Sequence, residues 1–229
     1  MNEKEEENSK QERPVAGMPA LGLGAFCAFG VFIIAILIGM SSVLAGKDLM
    51  VAASMDKPLE FKYEGLDEKL YEDTKKKILA YADAAGGQEK LHFSLSVDEL
   101  NSLVLFEPTL AGLKNVIQFK SADKDLVADV SFPLNRLDEL DGKGDGRYLN
   151  GEAAFYVYVR KREFKVQLSE FRLNGEEIQI DSIGALKQRN LLRHWSGYES
   201  HEKEFNLVAE AEIKEGRVHL MNWKERKKK

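Results

Sequence analysis

Leu91–Phe106 reads LHFSLSVDELNSLVLF, and the fold class turns on it. Leu91, Phe93 and Leu95 alternate with His92 and Ser94, the period-two pattern of a strand with one buried face. The pattern changes at Ser96. Ser96-Val-Asp-Glu99 is a capping box, in which the Ser hydroxyl accepts from the backbone near Glu99 and the Glu99 carboxylate returns to the Ser96 N–H. Leu100, Leu103 and Val104 give the following helix an apolar side, and Pro108 stops it. A strand that runs straight into a helix puts both element types in one unit.

The flanking segments extend the mixture. Upstream, Leu66, Leu70, Tyr71, Thr74, Ile78, Tyr81, Ala82 and Ala85 fall on one side of a helix, with Glu68, Glu72, Lys75, Lys76 and Asp83 mainly opposite and Gly86-Gly87 at its end. Downstream the period becomes two. Val116–Lys120 and Leu126–Phe132 flank the turn SADKD, and Ala153, Phe155, Val157 and Val159 continue the alternation. Lys161-Arg162-Glu163 turns the chain into Phe164, Val166 and Leu168, and the phase slips to Phe171 and Leu173, which predicts a bulge near Ser169–Glu170. Asn174-Gly175 suits a type I′ hairpin leading to Ile178 and Ile180. A helix is expected over Ile183–Trp195, and a last hairpin from Leu207–Ile213 and Arg217–Trp223 around Glu215-Gly216. The expected fold is α+β: one antiparallel β-meander packed with helices on one face.

Outward from this domain, Leu21–Ala45 reads LGLGAFCAFGVFIIAILIGMSSVLA, and no charged residue or histidine lies between Arg13 and Lys47. About 20 apolar residues cross a hydrocarbon core of about 30 Å. The expected organisation is therefore a disordered tail (1–20), a transmembrane helix (21–45), a juxtamembrane connector (46–58), the α+β domain (59–223) and a basic tail (224–229). Val43-Leu44-Ala45 before Gly46 has the small residues of a cleavage site, but the apolar run exceeds a signal peptide's core and the leader is mostly acidic. An uncleaved signal anchor is expected. Lys4, Lys10 and Arg13 precede the span and Lys47, Lys57 and Lys62 follow it, so flanking charge does not decide orientation. A short leader, one span and a large domain set the expectation of a domain outside the cytoplasmic membrane.

The 229 residues carry 44% hydrophobic and 31% charged side chains, the balance of a globular domain. A net charge of −5 argues against nucleic acid as a partner. The one cysteine, Cys27, lies in the apolar span, leaving the domain without a disulfide, thiolate nucleophile or cysteine zinc site.

Four features could carry chemistry. Asp141–Glu152, DGKGDGRYLNGE, places Asp145, Gly146 and Glu152 at positions 5, 6 and 12 of a calcium loop. Lys143 stands where an oxygen ligand belongs and Tyr148 where an apolar residue does, so a glycine-rich connector is the expectation. His92, His194, His201 and His219 are scattered, with no pair at helical ligand spacing. Tyr156 and Tyr158 share a strand face, as packing partners with wet hydroxyls or as the lining of an acyl groove; packing is favoured because aromatics are enriched in strands. The terminal KERKKK, Lys224–Lys229, is a solvated tail able to touch anionic headgroups. G-x-S-x-G, the Walker loop and H-E-x-x-H do not occur. No catalytic, cofactor-binding or metal-ligating residue is expected.

FSLSVDELN, following a single span and a short connector, resembles the bacterial membrane-anchored extracytoplasmic proteins of the YpmS type, with Phe93, Leu95, Glu99, Leu100 and Asn101 carrying the match. The acidic leader and basic tail depart from that pattern. The resemblance implies an antiparallel meander related to lipid-binding folds and a non-enzymatic role at the envelope. The functional expectation is an anchored, non-enzymatic domain binding lipid or a protein partner there. The alternatives are a structural subunit of an envelope complex and an unrecognised hydrolase.

Overall fold

The computed structural model describes residues 53–85, 91–136, 145–161, 163–173, 176–177 and 208–222. The expected tail 1–20, span 21–45, helix over Ile183–Trp195 and basic tail 224–229 lie outside the described residues, as do Cys27, His194 and His201. Among the described residues no helix is long and apolar enough to cross a membrane.

Helix α1 (Glu68–Ala85) starts where Asp67 Oδ1 accepts from the Leu70 N–H at 2.8 Å, an N-cap bond, and buries Tyr71, Thr74 and Ile78 along one face. Strand β1 (His92–Ser96) passes directly into α2 (Val97–Phe106). Both bonds of the capping box form: Glu99 N–H to Ser96 Oγ at 3.1 Å, and Ser96 N–H to Glu99 Oε2 at 2.7 Å. Glu107 closes α2 in extended conformation, and a 3-10 turn, Pro108–Leu113, follows because Pro108 has no N–H to continue the ladder.

The strands form two antiparallel sheets rather than the single one expected. The first is a meander in chain order: β2 (Ile117–Ala122), β3 (Leu126–Pro133), β4 (Tyr148–Arg160), β5 (Glu163–Leu173) and β6 (Glu176–Glu177). The second runs β1-β8-β7, from β7 (Val208–Lys214) and β8 (Arg217–Asn222). β1 leaves the meander because helical segments precede and follow it, so no hairpin turn can deliver a neighbour. It pairs instead with β8, Phe93 opposite Leu220 and Leu95 opposite Val218. β7 packs against β4, and one core spans both sheets. Leu95, Leu100, Val104, Ile117, Leu126, Phe155 and Val166 are fully enclosed in it.

Local irregularities follow the sequence closely. Ala154 opposes Glu170 and Phe155 opposes Leu168, leaving Ser169 as the bulged residue. Leu173 pairs with Glu176 across Asn174-Gly175, whose own conformation lies outside the described residues. Glu215 and Gly216, with φ of 53° and 73°, give the last hairpin a turn with two left-handed residues, the type I′ requirement. The β2–β3 turn is shorter than SADKD implied. Ser121 and Ala122 belong to β2 and pair with Val127 and Leu126, leaving Asp123–Asp125 as the turn and an irregularity between Phe119 and Ser121.

The chain reaches the meander through a strap, residues 53–63, that crosses one end of three strands. Met55 exchanges two 2.8 Å backbone bonds with Tyr148 at the start of β4. Arg147 donates to the Ser54 carbonyl at 2.6 Å and to Asp56 at 2.8 Å. Asn150 donates to the Lys57 carbonyl at 2.8 Å, and Ser131 Oγ accepts the Leu59 N–H at 3.1 Å. At β2, the Tyr63 hydroxyl bonds the Ile117 carbonyl at 3.0 Å and Gln118 reaches the Lys62 carbonyl. Half of the expected connector is thus bonded into the sheet.

Candidate functional site

The alternation of β1 that buries Phe93 and Leu95 turns His92, Ser94 and Ser96 to the other face. The β1–β8 register sets Ser94 opposite His219 and Ser96 opposite Arg217, and the β7–β8 register sets Glu212 opposite His219. One face of the small sheet therefore gathers His92, Ser94, Arg217, His219, Glu212 and Lys214.

Two histidines distant in sequence meet there. His92 Nε2 lies 2.8 Å from His219 Nδ1, with the rings stacked at 5.0 Å between centroids. One ring donates and the other accepts, the roles depending on tautomer. His92 is exposed, whereas His219 is buried, and its Nε2 makes no hydrogen bond among the described residues. Burial, then the charges of His92 and Lys214, hold the His219 imidazole below its ordinary range, against weaker opposition from the Lys214 backbone and Glu212. Glu212 is itself ion-paired to Lys214.

At the Ser96 end of the face, Glu99 joins three elements. Its carboxylate accepts from Lys77 on α1 at 2.8 Å, from Arg217 on β8 at 2.7 Å and from the Ser96 N–H. Burial pushes this carboxyl up, but the Lys77 hydrogen bond, the Ser96 N–H and the charges of Lys77 and Arg217 outweigh burial and hold it below the usual glutamate range. Arg217 Nε also donates to Ser94 Oγ at 3.0 Å. The Ser94 hydroxyl accepts from a cation, and the face combines a hydrogen-bonded histidine pair with an ion-pair hub centred on Glu99. Among the described residues no three His, Cys, Asp or Glu side chains converge as a metal site.

The other sequence candidates fall elsewhere. The first four positions of the Asp141–Glu152 loop, 141–144, lie outside the described residues; Asp145 is exposed and Glu152 sits within β4. The Glu152 carboxylate is engaged along the strand face by Lys120 at 3.2 Å and Arg172 at 3.5 Å. Tyr156 is exposed opposite Gln167, and the Tyr158 hydroxyl donates to Gln167 at 2.6 Å beside Lys165. Their cross-strand neighbours on β5, Gln167 and Lys165, are polar.

The residues that carry the E-L-N pattern all serve the fold: Glu99 as cap and hub, Leu100 in the core, and Asn101 bonded to the backbone of Phe119 on β2. The histidine pair escaped the sequence reading because its members stand 127 residues apart. The available signal was the shared alternation of H-F-S at 92–94 and R-V-H at 217–219, which becomes informative once the two strands are known to pair. Comparison of the chain with protein-family models, with curated proteins and with solved structures found no match.

Proposed function

We propose that this chain is a single-pass membrane protein whose α+β domain sits outside a bacterial cytoplasmic membrane and acts as a non-enzymatic binding module for a protein partner. The strap carries the reading. Seven residues, 46–52, separate the apolar stretch 21–45 from chain already bonded into the sheet. Extended, they reach about 25 Å at most. A domain so tethered works at the bilayer surface. A protein partner is favoured over an acyl chain because most apolar side chains of the described strands are used in one core. The outward faces carry ion pairs: Lys120 with Asp129 and Glu152, and Arg217 with Glu99. The likeness of FSLSVDELN to YpmS-type proteins points to the same compartment.

The test is affinity capture of the full-length chain from bacterial membranes in mild detergent, with proteins and lipids of the eluate quantified by mass spectrometry. A protein recovered in near-stoichiometric amount supports the module. A lipid retained in fixed ratio, with no protein, overturns the choice of partner.

A further inference from the structure

We infer that the Met55–Leu59 part of the strap docks onto the surface of the bilayer that holds the chain's own apolar stretch, so that this end of the five-stranded sheet faces lipid. The inference rests on the anchored reading above. Its first support is length. Residues 46–52 confine Ala53 to within about 25 Å of the membrane end of the span.

The second support is rigidity. The strap cannot turn its side chains freely, because the Met55–Tyr148 backbone pair, the Arg147 bonds to Ser54 and Asp56, and the Lys57 and Leu59 backbone bonds fix it to the sheet. The third is composition. Three large hydrophobic residues are exposed among the described residues, and two of them, Met55 at 47% and Leu59 at 36%, lie on this strap. Such residues beside a bilayer gain by entering its interfacial region, because their apolar surface is removed from water.

Charge decides what kind of surface fits. Lys57, Lys62 and Arg147 are balanced locally by Asp56, Glu60 and Asp145. Docking is therefore apolar and short-ranged, and neutral phosphatidylcholine suffices. The opposite pole is far away: β4 has 13 residues, so the Lys161 turn stands roughly 40 Å along the strand from Tyr148.

The experiment uses the full-length chain with Cys27→Ala and one introduced cysteine, carrying an environment-sensitive nitrobenzoxadiazole label. Met55→Cys, Leu59→Cys and Lys161→Cys are compared in phosphatidylcholine vesicles with and without brominated acyl chains. Loss of fluorescence with brominated lipid at 55 and 59, and none at 161, is expected. Labels at 55 and 59 that stay bright while the chain floats with the vesicles overturn docking and leave the anchor standing. Quenching at 161 as strong as at 59 places the sheet flat on the bilayer and overturns the assigned pole. An interchain disulfide formed by the unlabelled Leu59→Cys chain on oxidation with diamide, with no quenching of the labelled chain, assigns the strap to a second copy instead. A chain that does not float with the vesicles removes the anchored reading and docking together.

Discussion

Asn101 on α2 bonds both backbone groups of Phe119 on β2: its Nδ2 donates to the Phe119 carbonyl and its Oδ1 accepts the Phe119 N–H, each at 2.8 Å. The amide stands where a further strand would pair, next to the irregularity between Phe119 and Ser121. An unpaired strand edge is a template for association with other chains, and here one side chain occupies its middle. The bond also ties the helix that begins at β1 to the large sheet.

Asn101→Ala removes both partners from a buried pair of backbone groups. At about 1–3 kcal/mol for each of the two buried groups left unsatisfied, the variant should lose on the order of 2–6 kcal/mol. Asn101→Asp keeps the acceptor but opposes a carboxylate to the Phe119 carbonyl, so it should not restore stability. Urea unfolding of the full chain in mild detergent measures both; wild-type midpoints would show the clamp to be idle.

Much of this arrangement was legible in the residues. Turn chemistry and period fixed the meander, the Ser169 bulge and the Glu215-Gly216 hairpin, because each depends on neighbours within a few positions. The capping box at Ser96–Glu99 was readable for the same reason. What local chemistry could not supply was the partner of β1. Its alternation marks an inner and an outer face but names no neighbour, so the second sheet, the His92–His219 contact and the third arm of Glu99 to Arg217 stayed hidden. Asn101 was noted only as part of a pattern, since a polar residue on a helix does not announce a backbone acceptor 18 residues ahead.

Acidification should weaken the domain in two stages. The folded His219 is held below its ordinary range, so the unfolded chain binds its proton first, and stability falls as pH drops below about 6.5 toward the lowered value. Glu99 is also held low, so its contribution is complete above the ordinary glutamate value and is lost as pH falls through the folded one. His219→Gln should flatten the upper stage and Glu99→Gln the lower. Melting temperatures across pH 3–8 read both stages, and a wild-type curve flat from pH 7 to 5 contradicts the first.

Glu99→Gln should also cost on the order of 2 kcal/mol at neutral pH, because Lys77 and Arg217 lose their shared carboxylate while the cap is weakened. The double variant Glu99→Gln with Arg217→Gln should recover part of the loss by removing the stranded cation. Strict additivity of the two changes would show that the pair is not coupled.

Gly151 on β4 has no room for a side chain: a Cβ there would lie 2.5 Å from the Arg172 carbonyl and 3.0 Å from the Phe171 ring. Gly151→Ala must push β5 away from β4 and should destabilise by about 1–3 kcal/mol. Pairing it with Phe171→Leu relieves the ring contact but not the carbonyl, so the rescue should be incomplete. A Gly151→Ala protein as stable as wild type would show that the strands part without cost.

Millimolar calcium should leave the melting temperature unchanged, since Lys143 occupies a ligand position and Glu152 is engaged by Lys120 and Arg172. A rise that disappears in Asp145→Asn would establish a calcium loop.

The proposed display of the domain outside the membrane is read by labelling in intact cells. Lys124 is exposed in the β2–β3 turn, whereas Ser121 is half-buried in β2, so Lys124→Cys in a Cys27→Ala background supplies the handle. A membrane-impermeant maleimide should modify this cysteine in intact bacterial cells, and alkaline carbonate should leave the labelled chain in the membrane pellet. Modification that appears only after lysis, or a chain released by carbonate, would contradict the account.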